Sequence, residues 1–212
     1  MNIAQIATQL IVILFAITIH EAAHGWAANK LGDPTAMIMG RVTLNPIAHI
    51  DPIGTVLLPL LLVIMRAPPF GWAKPVPVNP MNLKNPKKDN LLISAAGPVS
   101  NFCVAIVAGI ILKILLTITG NTAPPGFNIT QVLVTILYYS VLLNVFLAVF
   151  NLIPIPPLDG SGILLGLVSE EAAQKIEQLR PYGFIIVIGM MWLGVLTFIF
   201  SPIQKIINIL LF

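Results

Sequence analysis

Four apolar runs dominate this chain and fix the solvent it folds in. Residues 3–28, 91–116, 129–150 and 182–200 each come close to or exceed the roughly 20 residues an α-helix needs to cross a bilayer core. Lipid offers no partner for backbone N–H and C=O groups, so runs of this kind fold as helices packed in a bundle. The remaining sequence does not dilute the signal: 57% of residues are hydrophobic, 9% are charged, and the mean hydropathy is +0.94. No polar stretch is long enough for a second, soluble unit, so 1–212 reads as a single membrane-embedded domain. A cleaved signal peptide is the rival reading of the first run, but no Lys or Arg precedes Lys30, and a basic leader is missing. Cys103 is the single cysteine and lies within an apolar run, which excludes an intrachain disulfide and a thiolate cluster.

A fifth apolar piece, 52–65, is too short to span, contains Gly54 and Pro59, and runs into "RAPPFGWAKPVPVNP". Charge decides its path. If it dips in and returns, 29–90 and 169–181 share one side and hold nine of the eleven basic residues, as expected of the cytoplasmic face. The expected fold is therefore an all-α polytopic membrane protein with about four transmembrane helices and a re-entrant segment. Both termini lie outside. Ser201 and Pro202 open an amphipathic stretch at 202–212 that reads as an interfacial helix. Ser169 and two glutamates open a short cytoplasmic helix that closes at Pro181. Anionic lipid accounts for the net charge of +3 without any nucleic acid.

The sequence "ITIHEAAHGW" puts two histidines and a glutamate at membrane depth. Ionisable groups there are costly and mark function. Residues four apart stack on one helix face, so His20 and His24 can turn to one ion with Glu21 beside them. Two neutral imidazoles and a third ligand suit zinc, leaving one tetrahedral position for water, from which a glutamate can take a proton. Of the eight acidic residues, six fall in loops or on the cytoplasmic helix and Glu21 is already assigned, which leaves Asp159. It follows a helix broken by Pro154, Pro156 and Pro157, an irregularity that lipid tolerates only around a cavity or a buried contact.

HEAAH at 20–24 and NLIPIPPLDG at 151–160 resemble the two signature motifs of the site-2 protease family of intramembrane zinc metallopeptidases. "NPIAHIDPIGT", "GWAKPVPVNP" and "AAGPVSNF" extend the resemblance between them, so the core motifs span 20–165. The resemblance implies one zinc per chain held by His20, His24 and Asp159, with Glu21 as general base. It implies that Asn151 holds the substrate or steadies the oxyanion; by residue chemistry alone Asn151 could equally cap a broken helix end. His49, beside Asp51 and Pro52, is expected to order its own turn rather than to bind metal.

Lys30 follows His20 by ten residues, which sets the metal about 15 Å inside the cytoplasmic end of the first helix. A helical substrate must unwind there before its amides can be cut. In "KPVPV" the N–H groups of Val76 and Val78 face one edge while Pro75 and Pro77 offer none on the other. A small membrane-associated β element that pairs through Val76 and Val78 with the unwound substrate is the expectation. Ser94, Ala95, Ala96 and Gly97 read as scaffold that lets helices approach closely.

The combined expectation is a multi-pass protein of the cell (plasma or inner) membrane, with its site nearer the cytoplasmic face. It hydrolyses a bond in or next to a transmembrane segment of a protein substrate in regulated proteolysis. The 212 residues hold no PDZ or CBS module, so a minimal core is expected, with homo-oligomerisation left open. The alternative is a metal transporter or a non-catalytic metal-binding scaffold.

Overall fold

A computed structural model describes residues 3–65, 71–119, 129–195, 197–198, 201, 205 and 207. Regular structure among them is helical: α1 (Ile3–Lys30), α2 (Thr35–Ile38), α3 (Leu58–Ile64), α4 (Pro86–Thr119), α5 (Ile129–Asn151), α6 (Asp159–Leu167), α7 (Glu170–Glu177) and α8 (Gly183–Trp192). Three of these, α1, α4 and α5, are long and apolar enough to cross a membrane. They pack on one another, and α6 docks on α4.

The burial pattern is that of a protein dissolved in lipid. Along α4, Ile106, Val107, Ile110, Ile111 and Ile114 face outward at 46–56% exposure, while Asn101 on the same helix is completely buried. With apolar surroundings inside and out, close packing rather than water exclusion drives helix association. Ala105, Ala108 and Leu112 of α4 accordingly meet Val141 and Val145 of α5 at a tight seam. The 34 residues of α4 make it about 51 Å long, well beyond the hydrocarbon thickness, so one end projects from it. That end starts earlier than the apolar run suggests. Asp89, expected in a loop, lies buried in the first turn, where its carboxylate accepts from the Asn85 N–H at 2.8 Å and meets the positive helix end.

Two further expectations are corrected. The run 182–200 is not one continuous helix: α8 ends at Trp192, with Leu193 as cap and Gly194 at φ +71°. A glycine in the left-handed region is a usual helix terminator. No strand forms among the described residues, so the β element is absent. Residues 71–79, the strap, form no regular element. Pro75 and Pro77 have no N–H to give, and the Val76 N–H is spent on the Glu21 carboxylate at 3.1 Å.

Where the chain enters the short helical piece, Asp51 caps it by accepting from Ile53 and Gly54 N–H. A π-helical turn, Pro52–Leu57, then leads into α3. The chain comes back to its own starting point: Trp72 N–H donates to Gly54 O at 3.2 Å and Lys74 N–H to His49 O at 2.9 Å. Gly71 and Gly54 make this return feasible, since a Cβ on Gly71 would strike the Gly54 carbonyl. Arg41, buried, clamps the strap by donating to Lys74 O at 2.6 Å, and Asp33 holds its far end by accepting from the Asn79 N–H at 2.6 Å.

Ser169 caps α7 as the sequence predicts. Residues 66–70 and 120–128 lie outside the described residues, as does the interfacial stretch 202–212 apart from 205 and 207. Ile207 is buried in the seam of α4 and α5.

Candidate metal centre

α1 carries His20 and His24 on the face that meets α4, and their rings lie edge to face with centroids 4.7 Å apart. Space for both rings comes from Gly97. A Cβ there would stand 2.5 Å from His24 Nε2 and 2.6 Å from His20 Nε2. A residue read as scaffold thus forms one wall of the site.

Asp159 arrives from the other direction, at the first position of α6, after a turn that includes a cis Pro156–Pro157 bond. Glycines set its position. A Cβ on Gly160 would run into the carbonyls of Leu152 and Ile153, one on Gly162 into Ser94, and one on Gly166 into Leu91. α6 therefore lies flush on α4. Its first carboxylate reaches across to α1, with Oδ2 2.9 Å from His20 Nε2 and Oδ1 3.3 Å from His24 Nε2.

Hydrogen bonding fixes what these atoms offer. His24 Nδ1–H donates to Ile93 O at 2.7 Å, and a carbonyl can only accept, so Nε2 of the neutral ring carries the lone pair. His20 Nδ1–H donates to Asn101 Oδ1 at 2.5 Å, with the same result. Asp159 Oδ2 is buried and accepts no hydrogen bond. Three electron pairs converge within 4.8 Å of one another, an arrangement that repels itself unless a cation stands among them. Two neutral imidazole nitrogens and a carboxylate oxygen are the donors that zinc takes in a site with one position left open. The donor set fits zinc.

Glu21 stands beside the trio with its carboxylate held by the Val76 N–H. Gly25 makes that approach possible, because a Cβ there would meet Val42 at 3.0 Å and Val76 at 3.3 Å. Val78 packs on the buried cluster of Ala27, Ala28, Leu83 and Ile93. Asn151 ends α5, and its Nδ2 donates to Leu147 O at 3.0 Å, a bond within its own helix. His49 sits apart from the trio in a 3-10 turn, buried, with Nε2–H donating to Thr43 O at 3.0 Å.

Two contributors escaped the sequence reading: Asn101 and Asn144, at 0% and 2% exposure. The available signal was a polar side chain inside an apolar run, "AAGPVSNF" and "VLLNVFL".

A polytopic helical membrane protein with a buried set of two histidines and an aspartate is the class defined by this fold and site. Comparison with known proteins narrows it. The model of peptidase family M50 matches residues 118–196, a stretch that takes in Asn151 and Asp159. The protein named "Putative zinc metalloprotease YwhC" of Bacillus subtilis is 40% identical over 181 residues, covering 84% of this chain and 76% of that protein. Rip2 of Mycolicibacterium smegmatis, named likewise, is 27% identical over 84% of this chain and 64% of its own length. The "Zinc metalloprotease MJ0392" of Methanocaldococcus jannaschii is 28% identical over 78% of this chain and 35% of its own. No solved structure matches. The chain belongs to peptidase family M50, and it is a multi-pass membrane protein.

Proposed function

We propose that this chain is a zinc metalloendopeptidase of the site-2 type, which cuts a membrane-protein substrate in or next to a transmembrane segment. The observation that carries the reading is the convergence of His20 Nε2, His24 Nε2 and the Asp159 carboxylate, with Glu21 alongside them. Zinc held by these three residues would supply the positive charge that polarises a scissile carbonyl and acidifies water. Glu21 takes the proton of the attacking water and passes it to the leaving amide nitrogen. Asn151, at the end of the broken helix, steadies the substrate or the developing oxyanion.

The strap is where an unwound substrate strand lies, against Val76 and Val78. Pairing with Val76 requires a substrate carbonyl to take its N–H from Glu21, so substrate arrival and release of the base are one event. A groove of about 550 Å³ between α1 and α4, lined by Ala22, Ala23, Ala96 and Ser100, supports approach from the bilayer. The return of the strap to Gly54 and His49 supports a re-entrant 52–65, and with it a site nearer the cytoplasmic face of the cell membrane. The lipid bilayer and a transmembrane protein are the partners in this reading, and regulated intramembrane proteolysis is its setting.

The test compares wild type with Glu21→Gln on a transmembrane substrate in proteoliposomes, with zinc content measured in both. Zinc in both and cleavage by wild type alone supports the peptidase. Zinc in both and cleavage by neither supports a transporter or scaffold, and refutes it.

A further inference from the structure

The two histidines are oriented by different means. His24 leans directly on a backbone carbonyl, Ile93 O. His20 leans on an amide side chain, and an amide has two ends. Whether Asn101 presents oxygen or NH2 to His20 is settled by its other neighbours. Its Nδ2 donates to Ala16 O at 3.1 Å and to Asn144 Oδ1 at 2.8 Å. Turned over, Asn101 would set its oxygen against two acceptors and its NH2 against the imidazole.

Asn144 has the same ambiguity and resolves it against its own helix, with Nδ2 donating to Ser140 O at 2.8 Å. That leaves Oδ1 for Asn101. The orientation runs from a backbone carbonyl of α5 through two side-chain amides of α5 and α4 to the ring of α1. Each link is buried, with Asn101 at 0%, Asn144 at 2% and His20 at 6% exposure, so no water competes and a misdirected end would be left unpaired.

We infer, on the basis of the metal reading above, that Asn101 and Asn144 are positioning residues for the metal centre: together they fix His20 as the Nδ1–H tautomer and aim its Nε2 lone pair at the ion. Neither touches the ion or the substrate. Partners of this kind, hydrogen-bonded to a ligand's second nitrogen, commonly set metal affinity by about 10–100-fold. An amide in place of a carboxylate does so without adding a second buried negative charge beside Asp159.

The experiment uses the full chain in detergent micelles and has two readouts other than cleavage. Zinc affinity is measured by chelator competition, and the His20 ring tautomer of the zinc-free protein by ¹H–¹⁵N correlation spectra. Asn101→Leu is expected to weaken zinc binding about 10–100-fold and to abolish the pure Nδ1–H signature. Asn101→Asp keeps an acceptor for His20 and should hold the proton on His20 Nδ1, although its second oxygen then faces Ala16 O and Asn144 Oδ1. Asn144→Val, remote from His20, should weaken binding by a smaller factor and give a mixed tautomer. Leu112→Ala, in the distant seam, controls for general loosening and should change neither readout.

Zinc affinity within twofold of wild type in both Asn101→Leu and Asn144→Val overturns the inference. So does equal loss in Asn101→Leu and Leu112→Ala, or a proton moved off His20 Nδ1 in Asn101→Asp. Failure of wild type itself to bind zinc is a different result, and it overturns the metal reading together with this one.

Discussion

Replacing Gly97 by alanine adds one methyl group at the most crowded point of the site. The new carbon would stand 2.5 Å from His24 Nε2 and 2.6 Å from His20 Cε1 and Nε2, where carbon and nitrogen need about 3.5 Å. Both rings must therefore retreat by roughly 1 Å, against a tolerance near 0.2 Å in a metal–ligand distance. Neither ring can do so freely, since each is tethered at Nδ1, His20 to Asn101 and His24 to Ile93 O. Displacement on this scale typically costs on the order of 100-fold in rate, and zinc affinity should fall with it.

Helix propensity works in the opposite direction. Alanine is favoured over glycine within a helix by about 1 kcal/mol, so the variant has no intrinsic reason to lose α4. The assay pairs zinc competition with cleavage of a transmembrane substrate, and adds thermal unfolding of the zinc-free protein. The expected outcome is much weaker zinc binding and cleavage with only a modest fall in the melting temperature of the zinc-free protein, because helix propensity offsets part of the about 1–3 kcal/mol that overpacking costs. Wild-type zinc affinity and turnover in Gly97→Ala would refute the packing argument and, with it, the placement of both imidazoles against α4.

Val76→Pro removes the amide that holds Glu21, at a position already flanked by prolines. It should lower kcat while leaving zinc affinity unchanged, whereas Val76→Ala, which keeps the N–H, should retain most activity; equal turnover in the two variants would show that the amide is dispensable. At the far end of the strap, burial alone would raise the Asp33 carboxyl. Hydrogen bonds from the Thr35 hydroxyl, the Asn82 amide and the Asn79 and Thr35 N–H groups outweigh that and hold it below the usual carboxylate range. A depressed folded value means that Asp33 stabilises the fold fully above its unfolded pKa of about 3.9, and that this contribution is lost as pH falls through the lower folded value. Asp33→Asn should therefore lower the melting temperature at pH 7 and approach wild type under strong acid; a difference independent of pH would refute the charge argument.

How much of this was legible in the residues follows from the range of the forces involved. Spans of about 20 apolar residues are a local property, so α1, α4 and α5 could be read directly, and so could the Ser169 cap. The HEAAH spacing is likewise local, because helix geometry alone stacks His20 and His24. Asp159 was reachable by elimination, since few acids sit at membrane depth. The end of α8 at Trp192, just before Gly194, was not legible, since an apolar run does not say where its backbone turns. Nor was the fate of the strap: extended propensity is visible in "KPVPV", but a ladder depends on what lies alongside, and Glu21 lay there. Asp89 was misplaced because its burial depends on a cap that hydropathy does not register.

The sequence by itself determined a lipid-dissolved helical chain, the face on which two imidazoles stack, and the carboxylate able to join them, because periodicity and desolvation cost act on each segment separately. Only the tertiary structure decided that Gly97 makes room for both rings, that Asn144 and Asn101 aim one of them, and that the Val76 amide rests on Glu21. Those facts depend on contacts between residues tens of positions apart, where van der Waals contact and hydrogen-bond direction fall off within an ångström or two and leave no periodic trace along the chain.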